Sequence, residues 1–135
     1  MQFSATTKYA IQILGLMANN KSTRYSSRQL SDELSIPYKY LTKIMTKLTK
    51  SDIISSSKGK YGGFNIIKEL KDIKIIDIVI VFDDIDNKKC ILADDMACDY
   101  EQKCILHDKW EKPRCAIDDF FINTTLLELI NQQGV

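Results

Sequence analysis

The first half of this 135-residue chain contains neither cysteine nor histidine, and the whole chain has a single histidine. With one imidazole there is no Ser/His/Asp-type set, and no glycine-rich loop of the kind that cradles phosphates is present, so no enzyme is expected. Proline is limited to two residues and glycine to five, which leaves no low-complexity tract or flexible linker of either type. No stretch of about 18 apolar residues occurs, so no membrane-spanning helix is expected. The opening residues, Met1 to Lys8, lack the basic start and apolar stretch of a secretory signal. A cytoplasmic protein is therefore expected, with thiols kept reduced and clustered cysteines available for metal or redox chemistry.

What is present describes an ordinary globular chain, 44% apolar and 27% charged, of a length for one domain or one small domain plus an extension. A core of this size is modest, and oligomerisation would help it. The net charge of +1 conceals a strong asymmetry. Residues 1–68 carry 11 Lys/Arg against Asp32, Glu33 and Asp52, a net of +8, while residues 69–135 carry 8 against 15 acidic residues, a net of −7. This split reads as a polyanion-binding half joined to a half kept away from the polyanion, and nucleic acid is the partner it favours.

The periodicity predicts a helix over 6–18, where Ala10, Ile13, Leu14 and Met17 form one stripe. A polar loop follows to Tyr25. Ser26 with Gln29 is a capping box opening a short helix through Leu34, and Ser35-Ile36-Pro37 is a tight turn. Pro37 suits the first position of the next helix, over about 37–50, which presents Leu41, Ile44, Met45 and Leu48 on one face. Its other face shows Lys39, Tyr40, Thr42, Lys43, Thr46, Lys47 and Lys50, and the helix has no acidic residue. Two short helices joined by a tight turn, the second basic outside, make a helix-turn-helix.

Residues 53–66 then give two β-type runs around a basic, glycine-rich tip, Lys58-Gly59-Lys60-Tyr61-Gly62-Gly63. A hairpin placed directly after a recognition helix is a wing. Lys39, Tyr40 and Lys43 are expected nearest the bases and Lys47 nearer phosphate, with Arg28 and Thr42 completing the helix-turn-helix contacts. Lys58, Gly59, Lys60 and Tyr61 form the wing contact. The β-branched run 73–82 is a strand on propensity. From Asp83 to Asp108 the pattern reads as a long loop, and helical character resumes from Arg114, with Ile117, Phe120 and Phe121 sharing a stripe. Thr125 with Glu128 starts a short terminal helix.

All four cysteines fall in residues 90–115, in the order Cys90-x7-Cys98-x5-Cys104-x2-His107, with Cys115 behind. Soft thiolates and an imidazole this close are the donors of an iron–sulfur or zinc site. Zinc knuckles usually pair ligands two apart, which these spacings do not, so zinc is the weaker reading. Two readings need no metal: a thiol pair acting as a redox switch, and reduced cysteines packed as small hydrophobes.

Together these features resemble the Rrf2 family of bacterial winged-helix regulators, most closely its iron–sulfur cluster regulator branch. The resemblance is carried by Thr7-Lys8-Tyr9-Ala10-Ile11, by Ser35 to Leu48, by the wing Ser57 to Phe64, by Cys104-Ile105-Leu106-His107-Asp108-Lys109-Trp110, and by Ile122 to Gln133. It implies a mainly α fold with a small β-hairpin wing and a C-terminal dimerisation helix, in a homodimer on a pseudo-palindromic duplex DNA site. It implies a winged helix-turn-helix domain over 1–82, a cluster-binding loop over 83–111, and a dimerisation helix with a C-terminal helix over 112–135. It further implies that 73–82 is a short strand running into a helix from about Ile76, and that Cys90, Cys98, Cys104 and His107 hold a [2Fe-2S] cluster. Where relatives draw a fourth ligand from the partner's first helix, this chain has Lys8 and Gln12, which are not such donors. The seven residues between Cys90 and Cys98 exceed the commoner five or so, leaving Cys115 in reserve. Thr42 and Lys43 stand where the branch carries an acidic residue and a glutamine, so an operator sequence does not transfer.

Overall fold

Ser4 and Ser26 start the first two helices by the same device, a side-chain oxygen accepting an otherwise unpaired backbone N–H. Ser4 accepts from the Thr7 N–H and opens α1 (Ala5–Asn19), and Ser26 accepts from the Gln29 N–H and opens α2 (Ser27–Leu34). The Gln29 side chain returns the bond to the Ser26 N–H, so the capping box is complete. The structure is a computed structural model and describes residues 4–83, 102 and 104–133.

Ser35 ends α2 in the left-handed conformation, and the Ile36 N–H reaches back to the Ser31 carbonyl to close the turn. Pro37 is the N-cap, one place earlier than the expected first helical position, because its extended ψ leaves its carbonyl to receive the Tyr40 and Leu41 N–H groups. Helix α3 (Tyr38–Lys50) buries Leu41, Ile44, Met45 and Leu48, as its periodicity predicts. Strands β1 (Ile54–Ser57) and β2 (Gly63–Ile66) pair antiparallel, with Ile54 opposite Ile66 and Ser57 opposite Gly63. Tyr25, expected in a polar loop, pairs with Phe64 through two backbone bonds and adds a third, one-residue rung to the wing.

A 3-10 turn (Leu70–Asp72) leads to α4 (Ile75–Phe82). The β-branched run is therefore helical, against its strand propensity and as the family resemblance implies. Only Lys74 makes a bridge, to Thr125. Burial decides the outcome: Ile78 enters the main core, while Ile75 and Val79 enter a second cluster with Phe121. Each such side chain contributes about 1.5–3 kcal/mol on burial, more than the few tenths separating β-branched residues from good helix formers.

Helix α5 (His107–Asn123) starts well before the expected Arg114 and contains Pro113. Proline there cannot donate to the Lys109 carbonyl, which breaks the pattern that sequence reading relies on. Helix α6 (Leu126–Gln133) returns to the main core, where Leu126 is fully buried.

That core is built on the stripe Ala10, Ile13, Leu14 and Met17 of α1, packed with Leu30, the four buried residues of α3, Ile54, Ile66, Ile73 and Ile78. One buried polar side chain, Thr7, is satisfied across the fold: its hydroxyl donates to the carboxylate of Asp83, which also accepts the Ser4 N–H at 3.3 Å. Burial pushes the Asp83 carboxyl up, but the hydrogen bonds from Thr7 and Ser4 outweigh it and hold the group below its ordinary value.

Two glycines differ sharply in what a Cβ would meet. At Gly62 it would lie 2.3 Å from the Ser57 carbonyl oxygen, whereas at Gly15, inside α1, nothing lies within 4 Å. Gly62→Ala will therefore destabilise the protein by distorting the hairpin, and Gly15→Ala will stabilise it by roughly 0.4–1 kcal/mol, both read by urea denaturation. For Asp83, a depressed folded-state pKa gives stability that is present above the ordinary carboxylate value of about 3.9 and lost as pH falls through the folded value. The stability difference between wild type and Asp83→Asn will be present at pH 7 and will close as acidification carries the Asp83 carboxylate through its depressed folded-state value, as followed in thermal melts.

Candidate nucleic-acid interface and the cysteine–histidine turn

Helix α3 divides its surface cleanly. Its apolar face is buried, and the opposite side leaves Lys39, Tyr40, Lys43 and Lys47 exposed, with Thr42 half-buried. Lys39, Lys43 and Lys47 recur every fourth residue, so they follow one another along one side of the helix. No carboxylate on α3 can neutralise them within the helix. Thr42 donates its hydroxyl proton to the Lys39 carbonyl at 3.0 Å, leaving its oxygen available as an acceptor.

Arg28 on α2 is exposed, and its guanidinium lies 5.3 Å from the Tyr38 ring centroid at the start of α3. This stacking ties the two helices together on their charged side and holds the arginine near the helix N-terminus. At the wing tip Lys58, Gly59, Lys60 and Tyr61 are all exposed, Tyr61 by 82%. Lys60 sits 5.8 Å from the Tyr61 ring centroid, and Arg24 donates to the Tyr61 carbonyl at 3.4 Å. Arg24 escaped the sequence reading; its only signal was its place beside Tyr25, whose pairing with the wing links residues far apart in the chain.

Gly63, at the start of β2, is what lets Tyr25 approach the wing. Its φ of +141° is open to glycine, and a Cβ there would stand 2.9 Å from the Tyr25 carbonyl oxygen. The close approach of Tyr25 to the wing therefore needs glycine at this position.

Of the four candidate metal ligands, Cys90 and Cys98 lie outside the described residues. Cys104 is exposed, and His107 is buried at the first position of α5, with its backbone N–H donating to the Cys104 carbonyl at 3.0 Å. One turn of chain thus joins the backbones of Cys104 and His107, and a thiol and an imidazole are donor types that an iron–sulfur group takes. Asp108 and Glu111 gather beside the histidine, without Cys104: one ligand atom from each of His107, Asp108 and Glu111 lies within 4.8 Å of the others. Carboxylates beside a ligand imidazole are the groups that orient it. Their i+1 and i+4 spacing from His107 was readable only with the helix known to begin there. Cys115, held in reserve, is exposed further along α5, past Pro113.

No helix among the described residues is long and apolar enough to cross a membrane. Along α5 and the elements near it, Ile80, Phe120 and Ile122 are exposed large apolar side chains.

Known proteins place this chain among regulators. The Rrf2 family, described as an iron-dependent transcriptional regulator, matches residues 3–132. An HTH-type transcriptional regulator of Aquifex aeolicus is 35% identical over 133 residues, covering 97% of this chain and 92% of the relative. The HTH-type transcriptional regulator IscR of Escherichia coli is 26% identical over 137 residues, covering all of this chain and 83% of IscR. Among solved structures, CymR, the global cysteine regulator of B. subtilis, superposes with a TM-score of 0.81 at 20% identity, over 98% of both chains. The IscR of T. potens does so with 0.75 at 20% identity, over 98% of this chain and 88% of that one. These neighbours are winged-helix proteins, and the relatives are transcriptional regulators, not enzymes. The chain is a member of the Rrf2 family of transcriptional regulators.

Proposed function

We propose that this regulator is a cytoplasmic homodimer that binds pseudo-palindromic duplex DNA and adjusts its binding through a [2Fe-2S] cluster, acting as a repressor. The observation that carries the DNA half is α3, with one face buried in the core and the other lined by lysines without a single acid. In this reading α3 lies in the major groove. Lys39, Tyr40, Thr42 and Lys43 are nearest the bases and Lys47 is nearer phosphate, while Arg28 and the wing residues Lys58, Gly59, Lys60 and Tyr61 fix the register. The domain over 1–82 makes these contacts, the stretch over 83–111, whose last five residues open α5, holds the cluster, and α5 from residue 112 on meets the partner. Half-exposed Phe120 and Ile122 on α5 support that last assignment.

The ligands in this reading are Cys90, Cys98, Cys104 and His107, and a bound cluster would supply one-electron redox chemistry and sensitivity to iron supply, oxidants or nitric oxide. Support comes from the Cys104–His107 turn and from the likeness to IscR. The buried imidazole must be neutral to serve as a ligand, which makes loading proton-dependent. A metal-free thiol sensor is the second reading, favoured by the exposed thiols of Cys104 and Cys115 and by the fold shared with CymR.

Protein purified anaerobically will be coloured and will contain iron and acid-labile sulfide in equal amounts, with both reduced in His107→Ala. Colourless protein without iron leaves the thiol reading, and stoichiometric zinc without colour makes the site structural. On the DNA side, Lys43→Ala will cost about 1–3 kcal/mol in specific binding, and Lys60→Ala will weaken all sequences alike and reduce the slope of log K against log salt by about 1. Unchanged affinity in both variants, measured by fluorescence anisotropy, defeats the docking.

A further inference from the structure

The third lysine of the α3 row is already engaged in the free protein. Lys47 places its Nζ 5.7 Å from the ring centroid of Phe82, the last residue of α4. That ring is partly buried and packed against the main core. The next residue, Asp83, is tied to the first turn of α1 by the Ser4 N–H and the Thr7 hydroxyl. Phe82 is therefore fixed from both sides, by the helix before it and by the carboxylate anchor after it. Lys47 has no carboxylate on its own helix to compete for its ammonium.

We propose that Phe82 is a positioning residue that holds Lys47 on its ring face in the free protein and competes with DNA phosphate for the same cation. In this proposal the phosphate draws the ammonium off the ring, so the contact holds one cation of the DNA-facing set back until DNA displaces it. The Asp83 anchor sets how firmly the ring is held. Asp83 also stands directly before the chain segment that carries Cys90 and Cys98 in the sequence. The proposal rests on the DNA-binding reading and adds to it a control over how many cations the protein presents.

A ring-face contact of this exposed kind corresponds to roughly a two- to five-fold effect on an equilibrium. The test measures binding of the full-length protein to a random-sequence duplex across a series of salt concentrations, with thermal melts confirming that each variant folds. Phe82→Leu is expected to bind roughly two- to five-fold more tightly than wild type with the log K against log salt slope unchanged, because Lys47 meets phosphate in both complexes. Lys47→Met is expected to weaken binding, and the double variant to match Lys47→Met alone. Asp83→Asn, which loosens the anchor without touching the ring, is expected to move in the direction of Phe82→Leu. In the wild type, NMR will show the Lys47 ε-methylene protons shifted upfield by the ring, and the shift will relax when DNA is added.

Wild-type protein that shows no salt-dependent duplex binding defeats the DNA reading itself. If the wild type binds but Phe82→Leu matches it, binds more weakly, or gains equally in the Lys47→Met background, competition for Lys47 is wrong and the DNA reading stands. A ring-shifted Lys47 signal that persists on saturating DNA also overturns the competition.

Discussion

Helix α1 is the surface on which the rest of the protein is assembled. Its stripe of Ala10, Ile13, Leu14 and Met17 is buried completely or nearly so, and α2, α3, α4, α6 and β2 all pack against the helix. Large apolar residues from five elements depend on that stripe, so the position of α3 is not independent of the position of α4 or α6. Removing even one methylene from such a core is felt by its neighbours, because protein interiors pack at crystal-like density. The lysine row on α3 is held rigidly because Leu41, Ile44, Met45 and Leu48 leave that helix only one way to face.

The same arrangement separates charge. The elements through β2 and its flanking loop are strongly basic, and the acidic excess begins after residue 68. Helices α4 and α6 nevertheless pack into the core that supports the basic half. The structure brings the two halves of the sequence into contact through apolar surface, the hydrogen-bonded carboxylate of Asp83 and the Lys68–Asp77 ion pair at 3.8 Å, with no lysine of α3 in a salt bridge among the described residues. Lys47 departs from this pattern only by turning to an aromatic ring, an interaction that takes up the cation without cancelling its charge.

Much of the DNA-facing region is legible from sequence because its signals are local. The capping box at Ser26 and Gln29, the stripe on α3 and the glycine-rich tip of the hairpin each span a few residues, and each acts through hydrogen bonds or periodicity within that span. The turn at Cys104 to His107 is legible for the same reason, as a short spacing of soft donors. The parts that escaped involve residues distant in the chain: Tyr25 with Phe64, Thr7 with Asp83, and Lys47 with Phe82.

By itself the sequence determined α1, α2 and α3, the wing, the acid-free lysine row, and the gathering of thiols and the lone histidine in one stretch. These follow from preferences exerted over one or two turns of chain. Tertiary structure alone decided that the β-branched run 75–82 is a helix, because splitting its side chains between two apolar clusters outweighs a weak strand preference. It alone decided that α5 begins at His107, which sets Asp108 and Glu111 beside the imidazole. It alone put a buried hydroxyl of the first helix against the carboxylate that ends the fourth, since a buried polar group must find a partner and here that partner lies 76 residues away in the chain.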